Sequence, residues 1–264
     1  MRYAIISDIH ANLEALTAVL RAADEAQVQR IVCLGDLVGY YADPNGVVEL
    51  IRQRGIPCVR GNHDSVAAGL RGPVNFSETA RRAIRWTGEH LTEQNRSYLE
   101  ALPLVHGIDE KFVIVHAALH PEPNDEVRIR TEADAKLSLQ ILASGYGNQR
   151  VCFFGHTHHP VAYTMQDGTV TQSSDLSVRM TDGASYLINP GSVGQSRAAD
   201  PRASMVVYDA LTRTAQFHRI SYDYLAARAK AMSMGLIPRP HLLRRSARWI
   251  KGCLRGASEP VGEP

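Results

Sequence analysis

The sequence has few cysteines and no long apolar run, and both absences exclude whole classes of protein. Its 264 residues include four cysteines, at positions 33, 58, 152 and 253, and no Cys-x-x-Cys pair, which excludes a zinc ribbon and a thioredoxin motif. Scattered thiols are typical of a reducing compartment. No stretch reaches the roughly 18 consecutive apolar residues of a membrane span, and a signal peptide does not fit before Asp8. We therefore expect a cytoplasmic protein without a transmembrane segment.

Compositional bias is also absent. Hydrophobic residues at 44% and charged residues at 21% are close to the averages of globular proteins, which excludes a disordered, collagen-like or coiled-coil chain. The net charge of +2 is unevenly distributed, because nine Lys and Arg face three Asp and Glu from Arg219 onward, against 20 and 24 before it. The main body is therefore slightly acidic, and a nucleic-acid partner is not expected.

Short apolar runs in the first part of the chain predict buried strands at residues 3–7, 30–34, 57–60, 111–115 and 150–154. Between them, apolar residues such as Leu13, Leu16 and Leu20 recur at helical spacing. Alternating strands and helices predict parallel strands joined by crossover helices.

The pattern changes after His158 to strands separated by turn signals, which predicts a β-meander with strands at residues 161–165, 169–173, 176–180, 186–189, 204–208 and 215–220. Two helices are predicted at about 222–234 and 240–254. We expect one α/β domain at 1–237, with two stacked sheets built largely from the two halves of the chain and helices outside both. A basic helical extension is expected at 238–264, with a phosphate-attracting rim, an oligomer contact or a membrane-surface anchor as its possible roles.

Polar side chains directly follow the five early strands. In chain order they are Asp8 and His10, Asp36, Asn62-His63-Asp64, His116, and His156 and His158. Each group alone has an ordinary explanation, such as a turn, a helix cap or a core histidine. Five coincidences at five consecutive strand ends are improbable, however, and the carboxyl ends of parallel strands meet at one edge of a sheet. We therefore expect these side chains to line one crevice.

The chemistry of this set points to metal ions. Imidazole nitrogen with carboxylate and amide oxygen suits Mn, Fe, Zn, Co or Ni, and the absence of thiolate argues against a structural zinc site. Six or seven ligands are too many for one catalytic metal with an open position, whereas two metals that share a carboxylate use them all. Paired ions roughly 3.5–4 Å apart are common in phosphoryl chemistry.

Taken in order, these motifs resemble those of the calcineurin-like metallophosphoesterases: Asp-x-His, Gly-Asp, Gly-Asn-His-Asp/Glu, a lone His and Gly-His-x-His. Residues 188–195, INPGSVGQ, are further similar to the small, single-domain phosphodiesterases of bacteria and archaea, so the resemblance covers nearly all of residues 1–220. It implies the metallo-dependent phosphatase fold, a four-layer α/β/β/α sandwich with two mixed β-sheets.

The resemblance also implies a role for each motif residue. One metal is held by Asp8, His10 and His158, the other by Asn62, His116 and His156, and Asp36 bridges them. His63 acts on the substrate, as proton donor or as stabilising cation, and Asp64 orients it and favours its imidazolium. The implied nucleophile is a metal-bridging hydroxide, and manganese is the ion we expect first.

Three further residues have two interpretations each. Asn12 either binds phosphate or caps the helix that begins at Leu13, and Arg60 and Arg197 either contact phosphate oxygens or make surface salt bridges. We expect a phosphodiesterase of small or nucleotide-like esters, with a phosphomonoesterase or a diadenosine-polyphosphate hydrolase as alternatives on the same core. A non-catalytic scaffold is disfavoured because His63 and all the ligands are present.

Overall fold

The computed structural model describes residues 1–122 and 125–237. The basic extension expected at 238–264 lies outside the described residues. Seven helices occur in the described part: α1 Leu13–Glu25, α2 Pro44–Gln53, α3 Asn62–Ala67, α4 Glu78–His90, α5 Glu93–Ala101, α6 Glu132–Gly145 and α7 Tyr224–Ser233. None of these helices is both long and apolar enough to cross a membrane.

The described strands form two mixed sheets. The first sheet has the order β2-β1-β10-β11-β8, and the second has the order β3-β4-β5-β9-β6-β7. The strands are β1 Arg2–Ile6, β2 Arg30–Cys33, β3 Val105–Ile108, β4 Phe112–Val115, β5 Val151–Phe153, β6 Val161–Gln166, β7 Thr169–Ser173, β8 Ser177–Arg179, β9 Ser185–Asn189, β10 Ala203–Asp209 and β11 Thr214–Ile220. Strands β1 and β2 are parallel, as are β4, β5 and β9, and the remaining pairs are antiparallel.

Side chains that alternate along the strands build three apolar layers. In β1, Tyr3 and Ile5 point between the two sheets, whereas Ala4 and Ile6 point toward α1, α2, α4, α5 and α7. The outer face of the second sheet packs on α6. This period-two alternation fits a strand covered on both faces. The structure thus confirms the four-layer α/β/β/α sandwich.

The two sheets do not correspond to the two halves of the chain, contrary to our expectation. Strand β10 lies between β1 and β11, and β9 lies between β5 and β6. The second half is therefore not a simple meander, because its strands cross between the sheets. Periodicity identifies a strand but not its partner, so this mixing has no local signal.

One predicted strand is absent, and one observed strand was not predicted. Residues 57–60 form no strand, because Cys58 makes only a single parallel bridge with Cys33, and Pro57 has no backbone N–H for a longer ladder. Strand β3, Val105–Ile108, was not predicted. It lies at the edge of the second sheet, and His106 and Gly107 interrupt the apolar run that marked the other strands.

Candidate metal centre

The backbone is left-handed at five of the seven expected metal ligands. The φ angles are 55° at Asp8, 54° at His10, 52° at Asp36, 65° at His156 and 64° at His158. Residues other than glycine rarely adopt this region, and each such conformation costs on the order of 1–3 kcal/mol. Strain of this kind persists only where the surrounding structure enforces it. The turns after β1, β2 and β5 are therefore shaped to direct these side chains inward.

Two glycines allow close approaches to functional side chains of the cluster. A Cβ on Gly61 would lie 2.1 Å from Asp36 Oδ1, and a Cβ on Gly39 would lie 2.4 Å from His63 Nδ1, at a Gly39 φ of 92°. No side chain fits either position without displacing the neighbouring functional group. The glycine before Asn62 is thus required by the position of the Asp36 carboxylate.

The first group of ligand atoms comes from Asp8, His10 and His158, and these atoms lie within 4.8 Å of one another. His158 Nε2 lies 3.3 Å from Asp8 Oδ1 and 3.1 Å from His10 Nε2. All three side chains are buried. Sequence-distant segments therefore meet at one point, as the motif order predicts.

The second group contains Asp36, His116 and His156, whose ligand atoms also lie within 4.8 Å of one another. His116 Nε2 is 3.4 Å from Asp36 Oδ2. The Asn62 amide oxygen joins this group, at 3.2 Å from His116 Nε2 and 2.9 Å from His156 Nδ1. Asn62 occurs at the start of α3, so the helix places its oxygen toward both imidazoles.

Asp36 lies between the two groups. Its Oδ2 is 3.7 Å from His10 Nε2 and 3.4 Å from His116 Nε2. The other oxygen, Oδ1, accepts a hydrogen bond of 2.8 Å from the backbone N–H of His63. One carboxylate oxygen thus faces a histidine from each group, which is the placement that a bridging ligand needs.

Backbone carbonyls hold three of the imidazoles. Nδ1 of His116 donates to the Leu34 carbonyl at 2.8 Å, and Nδ1 of His158 donates to the Gln195 carbonyl at 2.6 Å. The His10 ring is held in the same way by the Val38 carbonyl, at 3.1 Å. A carbonyl accepts only, so each Nδ1 carries a proton, and Nε2 is the nitrogen that faces the cluster. Such outer hydrogen bonds fix the tautomer and the ring orientation of metal-binding histidines.

The electrostatics of the cluster favour bound cations. Burial lowers the pKa of His10 to about 3 and holds the pKa of His158 well below its usual value, so both rings are neutral. Burial also lowers the pKa of His116, but Asp36 and Asp8 outweigh it and raise this pKa to about 10. Four imidazoles, two carboxylates and one amide oxygen, all buried, fit divalent transition metals by their chemistry. The residues present therefore fit the expected metal ions.

The expected contact between Asp64 and the His63 ring is absent. The Asp64 carboxylate instead accepts hydrogen bonds from the backbone N–H groups of Leu37, Val38 and Gly61, at 2.8, 3.2 and 3.0 Å. In the first turn of α3 a carboxylate satisfies free amide groups, which outcompete a side-chain partner. Asp64 thus ties the Asp36 turn to α3 and does not orient His63.

His63 is held by ring packing. Its ring centroid lies 4.5 Å from that of Phe76 and 4.9 Å from that of Tyr40, and its Nδ1 has no hydrogen-bond partner among the described residues. Burial lowers the pKa of His63 to about 4, whereas an Asp64 partner would have raised it. The imidazolium favoured by the sequence comparison is therefore not stabilised by Asp64.

The three candidate phosphate-binding residues, Asn12, Arg60 and Arg197, lie in different places. Asn12 is fully buried and caps α1, because its Oδ1 accepts from the N–H of Ala15 at 3.1 Å and its Nδ2 donates to the Gly194 carbonyl at 2.9 Å. Arg60 donates to the Glu100 carbonyl at 2.6 Å and does not line the crevice. Arg197 does line it. Of the three, only Arg197 is placed to contact a bound phosphate.

The crevice above the ligands has a volume of about 320 Å³, and its lining includes two side chains that the sequence did not single out, Tyr40 and Arg128. Nε of Arg128 lies 3.1 Å from His156 Nε2. Burial raises the pKa of the Tyr40 hydroxyl, and the nearby Arg197 guanidinium acts against that shift. Both residues lie on loops, and no local pattern distinguishes Arg128 from Arg130 two positions later.

The fold and the ligand cluster together define a metallophosphoesterase, and the comparison with known families agrees. The family model described as the calcineurin-like phosphoesterase superfamily domain matches residues 1–213. The chain belongs to this superfamily. Its members in general use divalent metal ions, in keeping with the donor set described above.

Three proteins match most of the chain. The uncharacterized protein MJ0912 of Methanocaldococcus jannaschii is 35% identical over 233 residues, which cover 86% of this chain and 90% of the relative. The crystal structure of a metallophosphoesterase from Sphaerobacter thermophilus is 34% identical and has a TM-score of 0.74, covering 90% of this chain and 95% of that chain. The hypothetical protein PH1004 from Pyrococcus horikoshii OT3 shares the fold, with a TM-score of 0.70 at 20% identity, over 89% and 94% of the two chains.

Proposed function

We propose that the protein is a phosphodiesterase that uses two divalent metal ions to hydrolyse small or nucleotide-like phosphate esters. The observation that carries this proposal is the position of Asp36, whose Oδ2 lies within 4 Å of a histidine from each of two ligand groups. A single ion would use only one of the two ligand groups.

In this proposal the ligands divide between the ions as their positions suggest. Asp8, His10 and His158 hold one ion, Asn62, His116 and His156 hold the other, and Asp36 contacts both. When bound, two such ions activate a water molecule and neutralise charge on the phosphate oxygens. Manganese is the first ion to test, since the nitrogen and oxygen donors do not select one transition metal by type alone.

The residues above the ligands then handle the substrate. His63 is the proton donor to the leaving oxygen, because its ring lines the crevice next to the ligand cluster. Burial lowers the pKa of the free His63 ring, and the negative charge of a bound phosphate acts against that shift and favours the imidazolium. Arg128 and Arg197 line the same crevice and are exposed, so their guanidinium groups can bind phosphate oxygens bidentately. Tyr40 packs edge-on against His10, with ring centroids 4.8 Å apart, and limits the sideways movement of His63.

The space around the crevice supports a diester. A cavity of about 290 Å³ adjoins it through Asn62, Arg128 and His156, and a larger one adjoins it through Arg197. A phosphodiester carries two ester groups and a phosphomonoester carries one. Room beside the metal cluster in two places therefore favours the diester.

The proposal is tested by removing metal and restoring single ions. The full-length protein is treated with a chelator and reconstituted with Mn²⁺, Zn²⁺, Co²⁺ or Ni²⁺. Bound metal is counted by mass spectrometry, and turnover is measured on bis(p-nitrophenyl) phosphate and p-nitrophenyl phosphate. We expect two ions per chain and a higher kcat/KM for the diester. One ion per chain, a preference for the monoester, or metal binding without turnover would each contradict the proposal.

A further inference from the structure

A second cavity lies outside the metal crevice, at the edge of the sandwich where the chain passes from β7 to β8. Its volume is about 720 Å³, and its lining comes from the segment after His158, from β6, from β11 and from residues 174–176. Both sheets thus contribute to it. A volume of this size accommodates a small organic molecule.

The charge of this edge cavity is strongly positive. Arg130, Arg197 and Arg219 line it, and Asp175 is its one acidic lining residue. None of the three arginines makes a salt bridge with a carboxylate of the described residues, and Arg219 donates to Ser204 Oγ at 2.7 Å. Unpaired guanidinium groups that converge on one cavity favour an anionic ligand.

The edge cavity also offers apolar surface. Leu176, which is 76% exposed, and the half-buried Phe217 line it. An aromatic base suits this surface, because it stacks on apolar and aromatic side chains.

The edge cavity adjoins the metal crevice at one side chain. Arg197 lines both spaces, and Thr157, which lines the edge cavity, stands in the chain between the ligands His156 and His158. A molecule whose phosphate occupies the crevice can therefore extend past Arg197 into the edge cavity without leaving the protein surface.

We propose that the edge cavity is a subsite for a nucleoside that forms one ester group of the substrate. Where this nucleoside carries an additional phosphate, that phosphate also lies in the edge cavity. This inference rests on the proposed phosphodiesterase function. The base lies against Leu176 and Phe217, and Arg130 and Arg219 bind additional phosphate oxygens. The substrate class is thus a nucleotide diester, and not a diester of two small alcohols.

The first test compares two substrates with the same leaving group. Methyl p-nitrophenyl phosphate fills only the crevice, whereas thymidine 5′-(p-nitrophenyl) phosphate adds a nucleoside. We expect the wild-type protein to favour the nucleoside diester in kcat/KM by roughly tenfold or more. The Leu176→Ser variant is expected to reduce this ratio by at least threefold, mainly through the KM of the nucleoside diester. The Arg219→Met variant is expected to reduce it by a similar factor when the nucleoside diester also carries a 3′-phosphate.

Matched controls exist on the same sheet. Leu211→Ser changes a leucine that is 85% exposed, and Arg179→Met changes an exposed arginine of β8; neither residue lines the edge cavity. Both controls are expected to leave the ratio unchanged. An equal effect of all four substitutions, or a wild-type ratio near one, would overturn the inference.

A binding measurement separates this inference from the proposed function. Adenosine 5′-monophosphate and ribose 5-phosphate are titrated calorimetrically into the metal-free and the Mn²⁺-loaded full-length protein. We expect the nucleotide to bind at least tenfold more tightly in both forms, and Leu176→Ser to reduce that advantage. Turnover of neither diester would contradict the phosphodiesterase function while this advantage still supports the subsite. Equal affinity for the two phosphates would overturn the subsite alone.

Discussion

The floor of the crevice, formed by the proposed metal ligands, and its rim are built in different ways. The floor consists of Asp8, His10, Asp36, Asn62, His116, His156 and His158, which are all buried. The rim consists of Tyr40, His63, Arg128 and Arg197. Backbone carbonyls hold three floor histidines, whereas the His63 Nδ1 has no such partner and the two arginines are exposed.

This difference shows which part of the site is already in position before a ligand binds. Backbone hydrogen bonds and enforced left-handed turns set the floor before any ligand arrives, as metal sites require. Rim side chains are positioned by ring packing or extend into solvent, so they can adjust to a substrate. Substitutions in the floor are therefore expected to remove metal, and substitutions in the rim to impair substrate handling with the metal retained.

The largest effect is expected for Asp36→Asn, because this floor residue faces both ligand groups. We expect loss of both ions and a fall in kcat/KM of more than about 100-fold, since loss of even an outer partner of a metal ligand costs about 10–100-fold. The comparison variant Asp8→Asn is expected to lose chiefly one ion. The number of bound ions is measured by mass spectrometry. If Asp36→Asn retains two ions at wild-type affinity, Asp36 does not bridge them.

The second-largest effect is expected for His63, the histidine of the rim. His63→Ala is predicted to lower kcat by about 10²–10⁴-fold, the usual contribution of a general acid, with two ions still bound. His106→Ala, an exposed histidine on β3, is the matched control and is expected to behave as wild type. Loss of one ion from His63→Ala would move this residue from the rim to the floor.

A smaller effect is expected for Arg128→Met. A charge-assisted hydrogen bond contributes about 1.5–3 kcal/mol, so KM for a diester is predicted to rise about tenfold or more, with metal content unchanged. Arg85→Met, an exposed arginine of α4, provides the control. If Arg128→Met loses metal instead, the role of Arg128 is to hold His156, 3.1 Å from its Nε, and not to bind the substrate.

The smallest effect is expected for Asn12→Ala, which probes a residue outside both regions. Loss of a helix cap costs about 0.5–2 kcal/mol, so the melting temperature is predicted to fall by a few degrees with metal content unchanged. Asn12→Ser keeps a capping oxygen and is expected to recover most of that loss. A raised KM without a change in melting temperature would restore the alternative role of Asn12 in phosphate binding.

The floor could be predicted from the sequence because each ligand directly follows a strand or begins a helix. Local order was enough to list Asp36 and His116, since a strand end delivers its next residue to the sheet edge. The layers could be predicted for a similar reason, because alternation along one strand reports two covered faces. Both inferences depend on short-range pattern alone.

The rim and the edge cavity could not be predicted, because distant segments create them. Arg128 and Tyr40 stand on loops whose conformation depends on the whole fold. Phe217 and Leu176 approach each other only because β8 pairs with β11, and the sequence predicts those strands without their pairing. The failed expectation for Asp64 has the same origin, since its partners Leu37 and Val38 belong to another turn.

The pairing of β1 with β10 has a consequence for how the protein is made. Strand β1 has β2 on one side and β10 on the other, with pairs from Arg2–Asp209 to Ile5–Val206. The β10 side of the strand that precedes Asp8 therefore stays open until about 209 residues have left the ribosome. Chains emerge at roughly 5–20 residues per second. For that interval the proposed ligands Asp8, His10 and Asp36 are present without the complete sheet. We therefore expect metal to bind only after almost all of the described residues have been made.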